Sequence, residues 1–332
     1  MTEDHPFAQY VRALGKGPNM WRNLTFDEAR DAMAMILAGE VNPMQLGAFL
    51  LLLRRKGESG AEFAGMTAAA KAIFQNDIGS GTVNYDWPSY ADRHRQQPWF
   101  VLAAILLADQ GYKVLMHGID GYHDGYAPTR PVLDLLHVPQ VTSLGGARDA
   151  LQDANLVYIG LEHFCAPLQD LFELRPFLGV RTAVNTFARD LNPLDAPCQM
   201  QGVFHPPYKD SHLQTALLLK QPNAMIFKGG GGEVMRNPMK PARIDAVLDG
   251  TVQELVWPVL SDENNYKWRD ENLAPEQILA VWRGDISLPV PEQGIIGTLA
   301  VALKMKLPEL SLQELDCKAA NIWAARDKSR FN

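Results

Sequence analysis

The first 75 residues carry apolar positions at a helical period. Phe26, Ala29, Met33, Ile36 and Leu37 recur at three- and four-residue spacings, and Leu46, Phe49, Leu50 and Leu53 repeat the pattern, so each run presents one apolar face. Start signals precede the runs: Thr25 with Glu28 three residues on, Asn42 followed by Pro43 and Gln45, and Ser59 with Glu62. Gly15, Gly39 and Gly57 fall where such helices should stop. The pattern predicts a compact helical subdomain.

From Pro98 the apolar runs change character. "PWFVLAAILLADQG" reads as a buried helix ending at Gly111, and "YKVLMHG" as a short strand behind it. "TRPVLDLLHV", "GGARDALQDA" and "SHLQTALLLK" read as helices, while "NLVYIGLEHF" and "NAMIF" read as strands. Such alternation requires crossover connections and a mainly parallel sheet, whose ligands collect at the carboxyl ends of the strands. The expected fold class is therefore α/β. A small helical domain at 1–75, with a returning helical segment at 165–182, accompanies a larger α/β domain at 80–332.

Composition changes this picture little. The 332 residues are 47% hydrophobic and 21% charged, an ordinary globular mixture. No apolar run approaches the roughly 18 to 20 residues of a membrane span, and the acidic start "MTEDHPFAQY" is unlike a secretory signal, so a cytoplasmic protein without a membrane partner is expected. Three scattered cysteines indicate neither a disulfide framework nor a zinc site, and Cys165 reads as core filler. A net charge of -7 excludes a uniformly basic coat but leaves room for a local basic groove.

Two loops follow predicted strand ends: "HGIDGYHDGYAPTR" and "KGGGGEVMRNP". The glycine run suits backbone contact with an anion, and it equally suits a plain turn. Asp120, His123 and Asp124 with His117 suggest a metal only weakly, a solvated polar loop being the better reading. No G-x-S-x-G elbow or H-E-x-x-H motif is present. Arg54, Arg55 and Lys56 end a helix, where the dipole by itself favours cations. "DWPSYADRHRQQPWF", residues 86–100, interleaves Trp87, Tyr90 and Trp99 with Arg93, His94 and Arg95. It reads either as a loop that holds phosphates and stacks bases, or as a loop anchored by tryptophans with solvated arginines.

Longer segments resemble a family. "LAGEVNPMQLGAFLLLLRRKGESGAEFAG" is similar to the N-terminal helices of anthranilate phosphoribosyltransferase and its nucleoside-phosphorylase relatives, glycosyltransferase family 3. "LRPFLGVRTAVNTFARDLNP" resembles that family's central segment, and "YKVLMHG" its strand ending in Lys-His-Gly-Asn. The resemblance implies the nucleoside phosphorylase and phosphoribosyltransferase type of fold. It also implies losses. Where the family cradles pyrophosphate with Gly-Thr-Gly-Gly-Asp, this chain has "WPSYADRHRQQPW". Lys-His-Gly-Asn becomes Met116, His117, Gly118 and Ile119, and the Asp-Glu metal pair becomes the glycine run with Glu233 alone. Arg175 matches the arginine that helps hold anthranilate, and Arg189 stands where the transferases have proline.

This pattern is similar to the YbiB-type branch, which keeps the fold and the homodimeric helical interface and binds nucleic acid with little sequence preference. The resemblance therefore implies a cytoplasmic homodimer that binds DNA or RNA on a degenerate transferase scaffold, with no cofactor. Arg55, Lys56, Arg93, Arg95, Arg189 and Lys209 are the expected phosphate contacts, and Trp87 and Tyr90 the candidate stacking residues. His117, Gly118, Arg175, Lys228, Gly230 and Glu233 would form a residual cleft for phosphate or a small anion. The alternative is a family 3 phosphoribosyl or glycosyl transferase with an altered site, acting on an aromatic or nucleobase acceptor and using magnesium and phosphoribosyl pyrophosphate. A third reading is a scaffold whose dimer surface alone matters.

Overall fold

A computed structural model describes residues 4–17, 19–75, 82–91, 95–119, 125–263 and 265–331. Four helices open the chain: α1 (Ala8–Gly15), α2 (Phe26–Leu37), α3 (Pro43–Lys56) and α4 (Gly60–Phe74). The starts of α2, α3 and α4 are those the sequence signals. Thr25 and Ser59 form complete capping boxes with Glu28 and Glu62, and the Asn42 side chain accepts the Met44 amide. Each such cap is worth about 1 kcal/mol.

The α/β part runs β1 (Tyr85–Ser89), α5 (Phe100–Asp109), β2 (Val114–Gly118), α6 (Thr129–Leu135), β3 (Gln140–Val141), α7 (Leu144–Asp153) and β4 (Leu156–Gly160). Three short helices follow: α8 (Ala166–Phe172), α9 (Arg175–Leu178) and α10 (Val184–Phe187). The chain then forms β5 (Cys198–Val203), α11 (Tyr208–Leu218), β6 (Asn223–Lys228), β7 (Ala242–Leu248), β8 (Thr251–Trp257), α12 (Glu276–Arg283), α13 (Pro289–Lys304) and α14 (Leu312–Ala324). The sheet order is β3-β4-β2-β1-β5-β6-β7-β8; pairing is parallel through β6 and antiparallel at β7 and β8.

Two cores cover the two faces of this sheet. Tyr85, Trp87, Val114 and Met116 pack with α5, α12, α13 and α14. Leu115, Val157 and Ile159 point the other way and join the core that includes α1 to α4, α8 and α10. The alternation is the two-residue period of a strand buried on both faces.

One expectation needs correction. Residues 86–100 do not begin as a loop: Asp86 to Ser89 belong to β1, in the middle of the sheet. Pro88 argues against such a strand, since it cannot donate to a ladder. The register explains its tolerance: β1 pairs with β5 only at Tyr85 and Asp86. That ladder has ended before the missing N–H is needed. Trp87 consequently lies wholly inside the protein and offers no face for stacking.

Candidate functional site

The strand order reverses at β1, which sends its chain to β2 on one side and has β5 on the other. Ligands of open α/β sheets sit at such a switch point, outside the carboxyl ends of the strands. Tyr90, Ala91, Val203 and Phe204 line a small cavity there.

Beneath that cavity is a buried polar chain. His117 Nδ1 lies 2.8 Å from the Tyr90 hydroxyl, and its Nε2 lies 3.0 Å from Asp86 Oδ1. Asp86 Oδ2 accepts from Gln199 Nε2 at 2.9 Å, and Gln201 Nε2 donates to both Gln199 Oε1 and Asp190 Oδ1, at 2.9 and 2.7 Å. His212 Nδ1 completes the series, 2.9 Å from Asp190. Each member is buried. Tyr90, 3% exposed at the cavity, and His117, wholly buried, are therefore internal groups, and neither presents an open ring face to solvent. Gly118 is structural too, since a Cβ there would lie 1.9 Å from the Ser89 carbonyl oxygen.

The glycine run is a turn in which three of the four glycine amides, and that of Glu233, have backbone acceptors. Gly229 N–H donates to Val203 O, Gly230 N–H to Met235 O, Gly232 N–H to Gly229 O and Glu233 N–H to Gly230 O, at 2.9 to 3.3 Å. Its glycines serve close approach: a Cβ on Gly229 would lie 1.7 Å from the Glu233 carbonyl oxygen, and one on Gly202 2.1 Å from it. Glu233 Oε1 in turn accepts the Ala91 amide at 2.6 Å, tying the run to the end of β1.

Arg189 is 9% exposed beside this carboxylate. Burial pushes its pKa below the usual arginine range, and the charges of Glu233 and Asp190 oppose that shift. Magnesium needs oxygen ligands in near-octahedral order. Glu233 is buried, accepts an amide and faces an arginine, and no group of three or more His, Cys, Asp or Glu that could hold a metal occurs among the described residues. The site as described does not fit the metal.

What the arrangement does build is a set of neighbouring cavities lined by cations. The small cavity also holds Arg54, Arg181 and Arg189. A second, of about 610 Å³, is lined by Lys209, Lys228, Arg236, Lys240, Arg243 and Arg269, of which Lys209, Arg236 and Arg243 are paired with Asp245, Asp316 and Glu254. A third, of about 370 Å³, adds Arg95 and Tyr126. Phe204 and Gly231 line all three, and among the described residues no aspartate or glutamate lines any of them.

The expected phosphate contacts divide accordingly. Arg189 and Lys209 line the cavities, although Lys209 Nζ is paired with Asp245 at 2.8 Å. Arg95 is exposed, its guanidinium 5.3 Å from the Tyr126 ring centroid. Lys56 is a correction: its side chain is 4% exposed and its Nζ is held by Glu62, Asn23 and the Gly57 carbonyl. Arg55 is exposed on α3, while Arg54 turns inward to donate to the Tyr208 hydroxyl at 2.8 Å. Arg175 begins α9, partly exposed. Lys228 and Gly230 do line the larger cavity. Arg93 and His94, like Asp120, His123 and Asp124, lie outside the described residues. Phe204, Trp268, Arg181, Lys240, Arg243 and Arg269 escaped sequence reasoning. Only Phe204 had a legible signal, an aromatic residue directly after a strand and before Pro206 and Pro207.

Residues 8–72 match the glycosyl transferase family, helical bundle domain. The uncharacterized protein YbiB of Escherichia coli (strain K12) is 28% identical over 251 residues, covering 73% of this chain and 76% of YbiB. An anthranilate phosphoribosyltransferase of Oleidesulfovibrio alaskensis is 28% identical over 233 residues, covering 69% of each. The crystal structure of anthranilate phosphoribosyltransferase from Thermus thermophilus superposes with a TM-score of 0.77 at 20% identity, over 96% of this chain and 94% of that one. The Saccharomyces cerevisiae enzyme in complex with PRPP and Mg gives 0.78 at 16% identity, over 99% and 97%. The chain is thus similar in sequence to anthranilate phosphoribosyltransferases and shares their fold, and its residues 8–72 match the glycosyl transferase family's helical bundle domain.

Proposed function

We propose that this chain binds nucleic acid through its phosphate backbone, on the transferase-like scaffold and with little sequence preference. The observation that carries this is the cationic lining, without aspartate or glutamate among the described residues, of three cavities meeting at Phe204, in a protein of net charge -7. A polyanion is the ligand complementary to such a surface, and affinity follows the local patch rather than the summed charge. Two copies pair through the helical part, where Met44 (80% exposed) and Phe177 (86% exposed) leave apolar surface uncovered.

The second reading is phosphoribosyl transfer to an aromatic or nucleobase acceptor. The Oleidesulfovibrio alaskensis relative and the solved neighbours favour it, because they are anthranilate phosphoribosyltransferases. Against it stand the internal hydrogen bonds of the Gly229, Gly230 and Gly232 amides and the bond from Ala91 to Glu233 Oε1. One experiment separates the two. Labelled single-stranded DNA is titrated at several salt concentrations, while phosphoribosyl pyrophosphate consumption is followed with magnesium and anthranilate. Salt-sensitive binding without turnover supports the first reading; turnover without binding at low salt supports the second.

A further inference from the structure

We infer that the 610 Å³ cavity is a subsite for one unstacked nucleotide, so that the protein takes single strands in preference to duplex. This rests on the nucleic-acid reading above. The volume lies within the roughly 300 to 1,000 Å³ of small-ligand pockets. Phe204 and Trp268 stand in its wall, and both also line the adjoining 370 Å³ cavity. Phe204 is 51% exposed, although an aromatic ring of that size is ordinarily covered.

Both rings are held from behind. Gly232, at φ 95°, brings the glycine run against Phe204, where a Cβ would meet the Phe204 Cβ at 3.3 Å. Trp268 packs edge-on against Tyr266, with centroids 5.1 Å apart, and the Tyr266 hydroxyl donates to Glu271 at 2.7 Å. Glu271 also accepts from the Gln97 amide and Trp99 Nε1, which pins this loop to the segment after β1. Lys228, Lys240 and Arg269 line the same cavity, and their side chains have no hydrogen-bond or ion-pair partner among the described residues. Aromatic faces with adjoining cations are what a splayed base and its phosphate require. A base inside a duplex has both faces covered and cannot reach such a ring.

The test compares a labelled oligothymidylate with a blunt duplex of the same length, using the full chain and the variants Phe204→Ala, Trp268→Ala and Phe204→Tyr. Expected is tighter binding of the single strand, a loss of about tenfold for each alanine variant on that probe alone, and retention in Phe204→Tyr. Intrinsic tryptophan fluorescence should be quenched by the oligothymidylate, and less so in Trp268→Ala. Equal binding of both probes, unaffected by the alanine variants, overturns this subsite and leaves the nucleic-acid reading standing. Binding of neither probe at low salt overturns both.

Discussion

Glu233 Oε1 accepts the backbone amide of Ala91 at 2.6 Å, joining the turn after β6 to the end of β1 across the switch point of the sheet. The same carboxylate supplies charge beside the buried Arg189. Glu233→Ala should therefore cost about 3 kcal/mol, through a lost charged hydrogen bond and a less compensated guanidinium. Glu233→Gln, which keeps an acceptor for Ala91, should cost less. Urea unfolding curves of the two variants, compared at equal m-value, measure this.

The glycines around that turn differ from those elsewhere. Gly229→Ala places a Cβ against the Glu233 carbonyl and should destabilise by several kcal/mol, about 3 or more, since backbone must move. Gly145, within α7, has nothing within 4 Å of a built Cβ. Gly145→Ala should be neutral or stabilising by up to about 1 kcal/mol. Thermal midpoints of the pair should move in opposite directions or differ sharply.

Two lysines that resemble each other in sequence should behave differently. Lys228→Ala should reduce the slope of log affinity against log salt by about 1 without lowering stability. Lys56→Ala should leave that slope alone and cost about 3 kcal/mol, because the fully buried Glu62 loses its cation. Salt-dependent DNA titrations and urea curves on both variants check the contrast.

Burial pushes the Cys165 and Cys198 thiols up to about 11, whereas Cys317 is exposed. Near neutral pH, iodoacetamide should alkylate Cys317 alone in the native protein and all three cysteines after denaturation. Peptide mass analysis reads the sites.

Burial also raises the pKa of Glu271 above its ordinary 4.5, against the lowering effect of its bonds from Tyr266, Trp99 and Gln97. The folded state thus holds this proton more tightly than the unfolded state. Its contribution is fully present below 4.5 and is lost as pH rises through the raised value. Glu271→Gln should flatten the fall of stability with pH above 4.5, measured by urea unfolding at stepped pH.

Local signals were legible where the interaction itself is local. The caps of α2, α3 and α4 join residues two or three positions apart, so Thr25, Asn42 and Ser59 announce them in sequence. β1 was not legible as a strand, because Pro88 is admissible only where the β5 ladder has already ended, which is a matter of register. The cationic site was legible only in part. Arg54, Arg55 and Lys56 are adjacent in sequence, yet about 100° of helical turn separates each from the next. One turns to Tyr208, one to solvent and one to Glu62.

By itself the sequence determined the helical start, the alternating α/β body and the likeness to the transferases, since each depends on periodicity, caps or ordered motifs along the chain. Only the tertiary structure decided which cations share a surface and which aromatic rings remain open. Trp87 and Tyr90 went into the core, while Phe204 and Trp268, 64 residues apart, came to line one cavity. The physical reason is that exposure and charge neighbourhood are set by packing across the sheet, between groups whose separation along the chain carries no signal of their meeting.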